Sequence, residues 1–554
     1  MQLPKPQSQN FSSLIGDIES GRIKIPQFQR NFVWTMQKSA GLLDSIVKGY
    51  PIGTFIFWRT KEQLRSIRNL GKHDLPPTPE GDYVDYVLDG QQRLTSLFAC
   101  LKGIKVSREN KEDDFSKIYI DLDADKDQSI VITDISNKEE KTFISIRDLI
   151  KGSVKFLYGF SEKYHEKIEN YKNTILSYQY STIQLIDASL DIATEVFTRI
   201  NEGGKTLTVF EIMVAKTFDE KSKFDLSEKY EELVSRLGEI DYETIPDMTV
   251  LQTISMIMKG ECKRSVILKL DKHKFMGIWD EATDAIATAA EYFRNSYRIP
   301  VSQLLPYNAL IVPFAYFFYM HKDKPTGDKQ KYLKDFFWRC SLSGRYSYAV
   351  EGKLAQDVNR IKEILDDGYP SYDWPIDTSP EFIQENGWFS AGRSYIKAIL
   401  CIYAHFRPES FDDGTPVHVG NNWLKQANSK NYHHFFPKAY MKKMRVDQPN
   451  PNHILNITIV DDFLNKRKIG AKSPSIYMKE FRKSNPELSK TMRTHLIGDL
   501  ESFGIWEDDY EKFFNARAKL LSKEIGKRII KQEVDTSKQS NLVDDSEADP
   551  ALAE

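Results

Sequence analysis

The sequence predicts an α+β fold divided among several domains, and three observations support this prediction. The chain has 554 residues, more than one hydrophobic core usually organises. Up to about residue 225, short runs rich in aromatic and β-branched residues alternate with apolar residues at helical spacing. From residue 226 to about 405 helical spacing dominates, and a pattern of strand, second strand and helix follows. We therefore predict domains at residues 1–225, 226–405 and 406–535, followed by an acidic, disordered tail at 536–554.

Individual elements follow from the same patterns. Strands are predicted in the first domain at Thr54–Trp58, Tyr83–Leu88, Ile118–Asp121 and Thr182–Ile186, with helices at Met36–Val47 and Gln91–Leu101. Thr208 and Glu211 have the spacing of a capping box, which predicts a helix start. Further helices are predicted at Lys331–Ser341, Tyr395–His405 and Asp508–Glu533.

Composition narrows the class of protein. Hydrophobic residues make up 40% of the chain and charged residues 28%, which is typical of a globular protein. The cysteines Cys100, Cys262, Cys340 and Cys401 form no CxxC pair, so we expect reduced core residues instead of disulfides or a zinc site. Residues 1–10 are polar and no apolar run reaches membrane-spanning length, so we expect a cytoplasmic protein with no membrane partner.

The most informative segment runs from Tyr432 to Pro437 and continues through Ile454–Val460 to Asn465. His434 can accept a proton from water, because the pKa of an imidazole lies near working pH. His433 and a helix Asn can hold a divalent metal that polarises a phosphodiester. The alternative is that two aromatic-flanked histidines only cap a buried strand. The ordered combination within one short stretch favours the catalytic interpretation.

Charge around this segment points to a polyanion. Residues 425–483 contain 13 Lys and Arg but four Asp and Glu, whereas the whole chain has 77 basic and 79 acidic residues. Basic clustering of this kind is typical of nucleic-acid binding, although a solvated face balanced by another domain would look the same. The candidate DNA contacts are Lys438, Lys466, Arg467, Lys468 and Lys472.

Two constellations mark the first domain, at residues 25–34 and 88–96. In the second, a strand ends, Gly90 permits a tight turn and a helix begins, so backbone N–H groups and Arg93 can form a phosphate cradle. Gln91 and Gln92 can read hydroxyls or base edges, and Asp89 can orient an arginine or hold hydrated Mg²⁺. The alternative is a structural network in which Asp89 pairs with Arg30 or Arg93.

A third element, Phe197–Leu207, ends in Gly204-Lys205-Thr206 and imitates a P-loop. The P-loop pattern requires Gly where this chain has Arg199, so we reject that assignment. Because a Gly-Gly-Lys turn that leads into a helix can still meet a phosphate, Asn201 and Lys205 are candidates for nucleotide binding.

These three motifs together resemble the GmrSD-type family of modification-dependent restriction endonucleases. The residues that carry the resemblance are Ile25–Trp34, Asp89–Arg93 and Phe197–Leu207. The resemblance implies a ParB/sulfiredoxin-like N-terminal domain for the binding or hydrolysis of an NTP of unknown identity. The residues it implies for nucleotide binding are Gln29, Arg30, Asp89, Gln91, Gln92 and Arg93.

The C-terminal pattern resembles the His-Asn-His, or ββα-metal, nucleases. The resemblance implies that His434 is the general base and His433 a metal ligand. It implies that Asn456 holds the loop and the base imidazole, and that Asn465 is the second metal ligand. Many such nucleases have His at the position that Asn465 occupies in this chain. Asn452 and His453 are close enough in sequence to be alternatives for one of these roles, and they rank below the four residues just named.

The resulting interpretation is a DNA endonuclease that uses Mg²⁺ or Mn²⁺ and restricts foreign, modified, double-stranded phage DNA under nucleotide control. One alternative is a nucleotide-sensing, DNA-binding regulator with a degenerate nuclease module. Another is an RNase with the same metal chemistry, because such a site grips a phosphodiester and not a sugar. Assembly into a homo-oligomer is left open.

Overall fold

The computed structural model describes residues 4–26, 32–61, 66–67, 69–70, 73–74, 81–108, 111–125, 127–200, 208–219, 221–421, 432–460, 468–540 and 542. The chain divides into two compact units, Met1–Leu226 and Ser227–Glu554. The first contains most of the strands and the second is mainly helical, which confirms the α+β class. The predicted middle and C-terminal domains both fall within the second unit.

The first unit is organised by a mixed, six-stranded sheet with the order β1-β13-β3-β7-β2-β4. Strand β13 is parallel to β3, whereas β7 is antiparallel to β3 and parallel to β2. The strands of this unit are β1 (Lys5–Asn10), β2 (Ile23–Pro26), β3 (Phe55–Thr60), β4 (Ser66–Ile67), β5 (Asn69–Leu70), β6 (His73–Asp74), β7 (Val84–Asp89), β8 (Lys105–Arg108), β9 (Lys111–Asp114), β10 (Tyr119–Asp121), β11 (Val131–Ile132), β12 (Phe143–Ser145) and β13 (Gln179–Ile186).

Helices accompany this sheet, and four of those described, α1, α2, α4 and α8, begin at residues whose side chains cap them. The helix predicted at Met36–Val47 is confirmed, and the capping box of Thr208 and Glu211 is present at the start of α8. The helices are α1 (Phe11–Glu19), α2 (Met36–Val47), α3 (Gln91–Lys102), α4 (Ile146–Lys151), α5 (Val154–Leu157), α6 (Glu162–Ser177), α7 (Leu190–Ile200) and α8 (Val209–Thr217), and Phe115–Lys117 is a 3-10 turn.

The turn from β7 to α3 is fixed by one glycine. Gly90 caps α3 with φ +92°, a left-handed conformation that L side chains rarely adopt. A Cβ added there would lie 2.5 Å from Cδ1 of Phe55 in the neighbouring strand β3. The strand and helix therefore meet in the tight turn that the sequence predicts, with Asp89 on one side and Gln91 on the other.

The second unit is built around α13, whose residues are apolar on almost every side. Such a helix must be buried, and α13 packs against α10, α12 and α15. The helices are α9 (Leu226–Gly238), α10 (Asp247–Lys259), α11 (Arg264–Ile267), α12 (Lys272–Ser296), α13 (Ile311–Met320), α14 (Gly327–Leu342), α15 (Val350–Leu365), α16 (Pro380–Asn386), α17 (Ser394–His405), α18 (Lys438–Met444), α19 (Pro474–Ser484), α20 (Leu488–Thr494) and α21 (Tyr510–Gly526), with 3-10 turns at Ser302–Leu304, Asn308–Leu310, Ile454–Asn456 and Glu533–Thr536.

Buried ion pairs join distant parts of this unit. Arg339 is fully buried in α14, where it pairs with Asp335 at 3.0 Å and with Asp535, beyond α21, at 2.6 Å. Asp357 of α15 accepts from the guanidinium of Arg345 and the hydroxyl of Tyr346. The polar segment around Arg345 is therefore part of a structural network.

A short antiparallel ribbon in the second unit carries the two histidines. It is formed by β14 (Tyr432–His434) and β15 (Ile457–Ile459), with His433 opposite Thr458 and His434 opposite Ile457. The predicted pair of strands is thus confirmed. The second strand is shorter than predicted, because Ile454–Asn456 forms a 3-10 turn that leads into it.

Candidate functional site

The ribbon presents its two imidazoles to different surroundings. Successive side chains of a strand point to opposite faces. His433 lies near the rings of Phe411 and Tyr477, whereas His434 lies near the ring of Phe389. His433 is buried, at 2% exposure, and His434 is half-buried. The two histidines therefore have different chemical roles available to them.

His434 has one ring nitrogen held by the protein. Its Nε2 lies 3.0 Å from Oδ1 of Asn452, and the Asn452 amide nitrogen donates to the Phe389 carbonyl at 3.1 Å. Because that amide orientation leaves Oδ1 as the acceptor, Nε2 carries the proton and Nδ1 keeps its lone pair. Burial lowers the pKa of His434 to about 4, and the positive charge of Lys438 acts in the same direction. His434 is thus neutral at working pH with its lone pair on Nδ1, but its pKa lies below the near-neutral value expected of a general base, because burial disfavours its charged form.

Asn456 is fully buried and holds the backbone that carries His434. Its Oδ1 accepts from the Phe436 amide at 2.8 Å, and its amide nitrogen donates to the carbonyls of Phe436 at 3.0 Å and Pro451 at 2.9 Å. It therefore joins the segment after His434 to the segment just before Asn452. These bonds fit the expectation that Asn456 holds the loop. The bond to the imidazole of His434 is made by Asn452 instead of Asn456.

His433 has an unsatisfied nitrogen in a buried position. The Thr458 hydroxyl donates to the His433 carbonyl at 3.3 Å and lies 3.2 Å from Nδ1 of the same residue. Since the hydroxyl has a single proton, it accepts from Nδ1–H, which leaves the lone pair on Nε2. That Nε2 is buried and has no hydrogen-bond partner among the described residues. Burial lowers the pKa of His433 to about 3, so the ring is a neutral donor of the kind that metals bind.

The basic residues predicted to contact DNA differ in how they are used. Lys438 begins α18, is exposed, and has no ion-pair partner in the part of the chain that the structure describes. Lys468 pairs with Asp412, and Lys472 pairs with Glu480 at 2.6 Å. Of these three, Lys438 is the cation most available to a phosphate near His434.

In the first unit, Arg93 is largely engaged by the protein itself. Its guanidinium donates to the carbonyls of Ile52 at 2.7 Å and Thr54 at 3.0 Å, and pairs with Asp89 at 2.9 Å. The Asp89–Arg93 pair is the one that the structural interpretation of this motif predicts. Nucleotide binding by these residues stays a prediction.

The two glutamines of the same motif are buried at the start of α3. Oε1 of Gln92 accepts from the Val33 amide at 2.9 Å, and its amide nitrogen donates to Gln91 at 3.3 Å. The motif thus ties the segment after residue 31 to the strand–helix turn. Seven predicted site residues lie outside the described residues: Gln29, Arg30, Asn201, Lys205, Asn465, Lys466 and Arg467.

Asn452 is the functional candidate that sequence reasoning ranked too low. The run Asn450 to His453 offers several polar side chains, and their spacing does not say which of them reaches His434. His453 instead accepts from the Leu455 amide and bonds the Gln384 carbonyl, which is a structural role. Within the described ranges, no group of three or more His, Cys, Asp or Glu side chains is arranged to hold a metal ion.

A neutral, oriented imidazole within electrostatic reach of Lys438, which has no ion-pair partner among the described residues, is suited to acid–base chemistry at a phosphodiester. Residues 11–218 match the family model of the GmrSD restriction endonuclease, N-terminal domain. Residues 11–218 therefore form a domain of the GmrSD restriction endonuclease family, as the motifs in this part of the chain predict. Membership in a family of restriction endonucleases implies DNA as a partner.

A relative of nearly the same extent is an uncharacterized protein of Methanocaldococcus jannaschii. It is 26% identical to this chain, and the match covers 94% of this chain and 98% of the relative. The similarity therefore extends through both units. Among the described residues, no helix combines the length and apolarity needed to cross a bilayer.

Proposed function

We propose that this protein is a metal-dependent endonuclease that cleaves foreign, modified, double-stranded DNA at the β14–β15 ribbon. The observation that carries the proposal is the His434–Asn452 pair, which leaves Nδ1 of a neutral imidazole available as a base. Membership in the restriction endonuclease family and the local excess of basic residues support DNA as the substrate.

In the proposed reaction, Nδ1 of His434 takes the proton of the water that attacks phosphorus. Nε2–H stays bonded to Asn452, so the imidazole keeps its orientation as it becomes charged. Asn456 keeps the two flanking segments at a fixed separation. Lys438 binds a phosphate oxygen of the DNA backbone. The contact with the DNA backbone is extended along the DNA strand by Lys466, Arg467, Lys468 and Lys472.

The proposed metal ligands are His433, through Nε2, and Asn465. The unpartnered Nε2 of His433 supports such a role, because a metal would satisfy an atom that has no partner among the described residues, whereas its burial and its place on the face of β14 opposite His434 count against it. Mg²⁺ or Mn²⁺ bound there would polarise the phosphodiester and stabilise the leaving oxygen.

Control of cleavage is proposed to reside in the first unit. An NTP would bind at the start of α3, where backbone N–H groups point away from the helix. The nucleotide would be positioned by two sets of residues. One is the α3 motif, Asp89, Gln91, Gln92 and Arg93, and the other is Gln29, Arg30, Asn201 and Lys205. Binding would favour one state of the enzyme over another.

The test is cleavage of modified and unmodified phage DNA, and of RNA, with Mg²⁺ or Mn²⁺ and with or without ATP, GTP or CTP. Removal of the base in His434→Ala should lower the DNA cleavage rate by about a hundredfold to ten-thousandfold, while DNA binding and folding persist. The matched control is His418→Ala, an exposed histidine of the same unit, which should cleave normally. Wild-type cleavage by His434→Ala would refute the assignment, and cleavage of RNA alone would change the substrate.

A further inference from the structure

Apart from the ribbon, the second unit contains a cleft of about 510 Å³. It lies between the end of α12, one face of α14 from Gly327 to Trp338, the last residue of α17 and the end of α21. Its volume is in the range of small-molecule binding sites, which hold roughly 300–1,000 Å³. None of its lining residues belongs to the proposed nuclease or nucleotide residues.

The lining of the cleft is strongly basic. Lys331, Lys334, Lys527 and Arg528 face one acid, Glu524. That carboxylate is shared between Lys527, at 2.5 Å, and Arg528, at 3.1 Å. Lys331 and Lys334 have no ion-pair partner in the described portion of the chain, and both are exposed at the rim. The cleft therefore has a surplus of positive charge that the described residues do not balance.

Positive groups in this cleft disfavour one another. Although much of the Lys334 side chain is exposed, its pKa is lowered by partial desolvation and then by the charge of Arg528, while Glu524 acts in the opposite direction. The pKa of His405 is lowered by burial and, through their charges, by Arg528, Arg298 and Lys334. An anion placed among these groups would relieve the repulsion, whereas a cation or a neutral molecule would not.

The floor of the cleft adds hydrogen-bond donors. The buried hydroxyls of Tyr292 and Tyr297 hydrogen-bond to each other and have no other partner in the described structure, so one of the two O–H donors is left for a ligand. Gly327, the first residue of α14, also lines the cleft, and the side chain of Thr326 makes no capping bond to this helix. A helix start with open N–H groups attracts negative charge.

We propose that this cleft binds a small, phosphate-bearing anion of about mononucleotide size. Arg528 is buried at the base of the cleft, while Lys331, Lys334 and Lys527 are exposed at its rim. This arrangement gives a phosphate several charged donors at once. The aromatic rings that line the cleft, among them Trp338, give the rest of the ligand an apolar surface.

The experiment is calorimetric titration of the full-length protein with inorganic phosphate, ATP and adenosine, at low and high salt. Lys334→Met removes a cation of the cleft, and Lys329→Met is the matched control on the same helix, where Lys329 pairs with Asp367 outside the cleft. Arg93→Ala is included because a nucleotide could also bind the first unit. Thermal unfolding of each variant verifies its fold.

We expect phosphate or ATP to bind the wild type, with affinity that falls as salt rises. Lys334→Met should weaken binding by about tenfold or more, while Lys329→Met should not. Equal affinity for phosphate and ATP would mean that the phosphate group suffices, and tighter ATP binding would mean that the nucleoside contributes. The proposal is overturned if Lys334→Met binds like the wild type, if adenosine binds as well as ATP, or if Arg93→Ala alone abolishes all binding.

Discussion

At the scale of single residues, the chemistry of the ribbon depends on where one proton resides. Asn452 accepts the Nε2 proton of His434 because its own amide is oriented by the Phe389 carbonyl. The lone pair is therefore confined to Nδ1. Asn456 adds to this control, since it bonds the carbonyl of Pro451, the residue next to Asn452. A residue that never touches substrate can thus decide which nitrogen acts as the base.

The first prediction concerns Asn452 as a positioning residue. Asn452→Ala should lower the cleavage rate roughly tenfold to a hundredfold, the range found for side chains that orient functional imidazoles. Asn452→Asp retains the acceptor oxygen and should restore much of the rate. Its negative charge should also raise the pKa of His434, so the acid limb of the pH–rate profile should move to higher pH.

The control for this prediction is Asp447→Ala, an exposed acid in the same loop, which should leave the profile unchanged. If Asn452→Asp is as slow as Asn452→Ala and its pH profile does not move, Asn452 has only a structural role.

The sequence predicted the ribbon residues but not their partners, and the reason is physical. Histidines next to each other on a strand are visible in the sequence, and so is the pattern of strand, strand and helix. Which of Asn450, Asn452 and His453 reaches His434 depends on the path of the chain between β14 and β15. That path is set by bonds such as the one from the Phe436 amide to Oδ1 of Asn456, which joins residues 20 positions apart in the sequence.

At the scale of elements, the β7–α3 turn illustrates how one backbone position supports a whole motif. Gly90 brings the end of β7 against Phe55 of β3, and Arg93 then reaches the carbonyls of Ile52 and Thr54. Local patterns predicted this strand, turn and helix. They did not predict that β3 lies beside β7, since strand order depends on contacts distant in sequence. The Asp89–Arg93 pair remained one of two alternatives for the same reason.

The second prediction tests this turn. Gly90→Ala should lower the free energy of unfolding by at least ~1–3 kcal/mol, because it forces a left-handed residue and places a Cβ 2.5 Å from Phe55. The control is Gly16→Ala in the interior of α1, where an added Cβ meets nothing within 4 Å. That variant should stabilise the protein by about 0.5–1 kcal/mol, as expected for alanine in a helix. Equal urea midpoints for the two variants would contradict this account of the turn.

At the scale of the whole molecule, the second unit joins the helical segments to the ribbon through buried polar contacts. The Tyr403 hydroxyl of α17 donates to the Ile454 carbonyl at 3.1 Å, and Arg517 of α21 donates to the carbonyls of Leu455 and His495. The predicted boundary near residue 405 therefore falls at the end of α17, a helix that contacts the 3-10 turn just before β15. Composition could not indicate this, because the contacts are between single buried side chains and backbone atoms.

The same unit buries several neutral imidazoles, and this gives the last prediction. Burial lowers the pKa of His433 and His495 to about 3, and that of His434 and His453 to about 4. In the unfolded chain these groups have ordinary pKa values near 6.5. Between about pH 4 and 6.5, the unfolded state therefore binds up to four more protons than the folded state. Because folding excludes those protons, stability is full above about pH 6.5 and falls as the pH is lowered.

The expected size of the effect is about 1.4 kcal/mol per pH unit for each imidazole that is neutral when folded and charged when unfolded. Urea unfolding of the full-length protein at half-unit steps from pH 7.5 to 5 measures the slope, in a window where most carboxylates stay ionised. His495→Gln removes one of the four groups and should make the slope shallower, because one proton fewer is taken up on unfolding. His418→Gln alters an exposed ring and should leave the slope unchanged. A stability that stays constant from pH 7 to 5 would mean that these imidazoles already take up protons in the folded protein, and the neutral state assigned to His434 as a base would then be wrong as well.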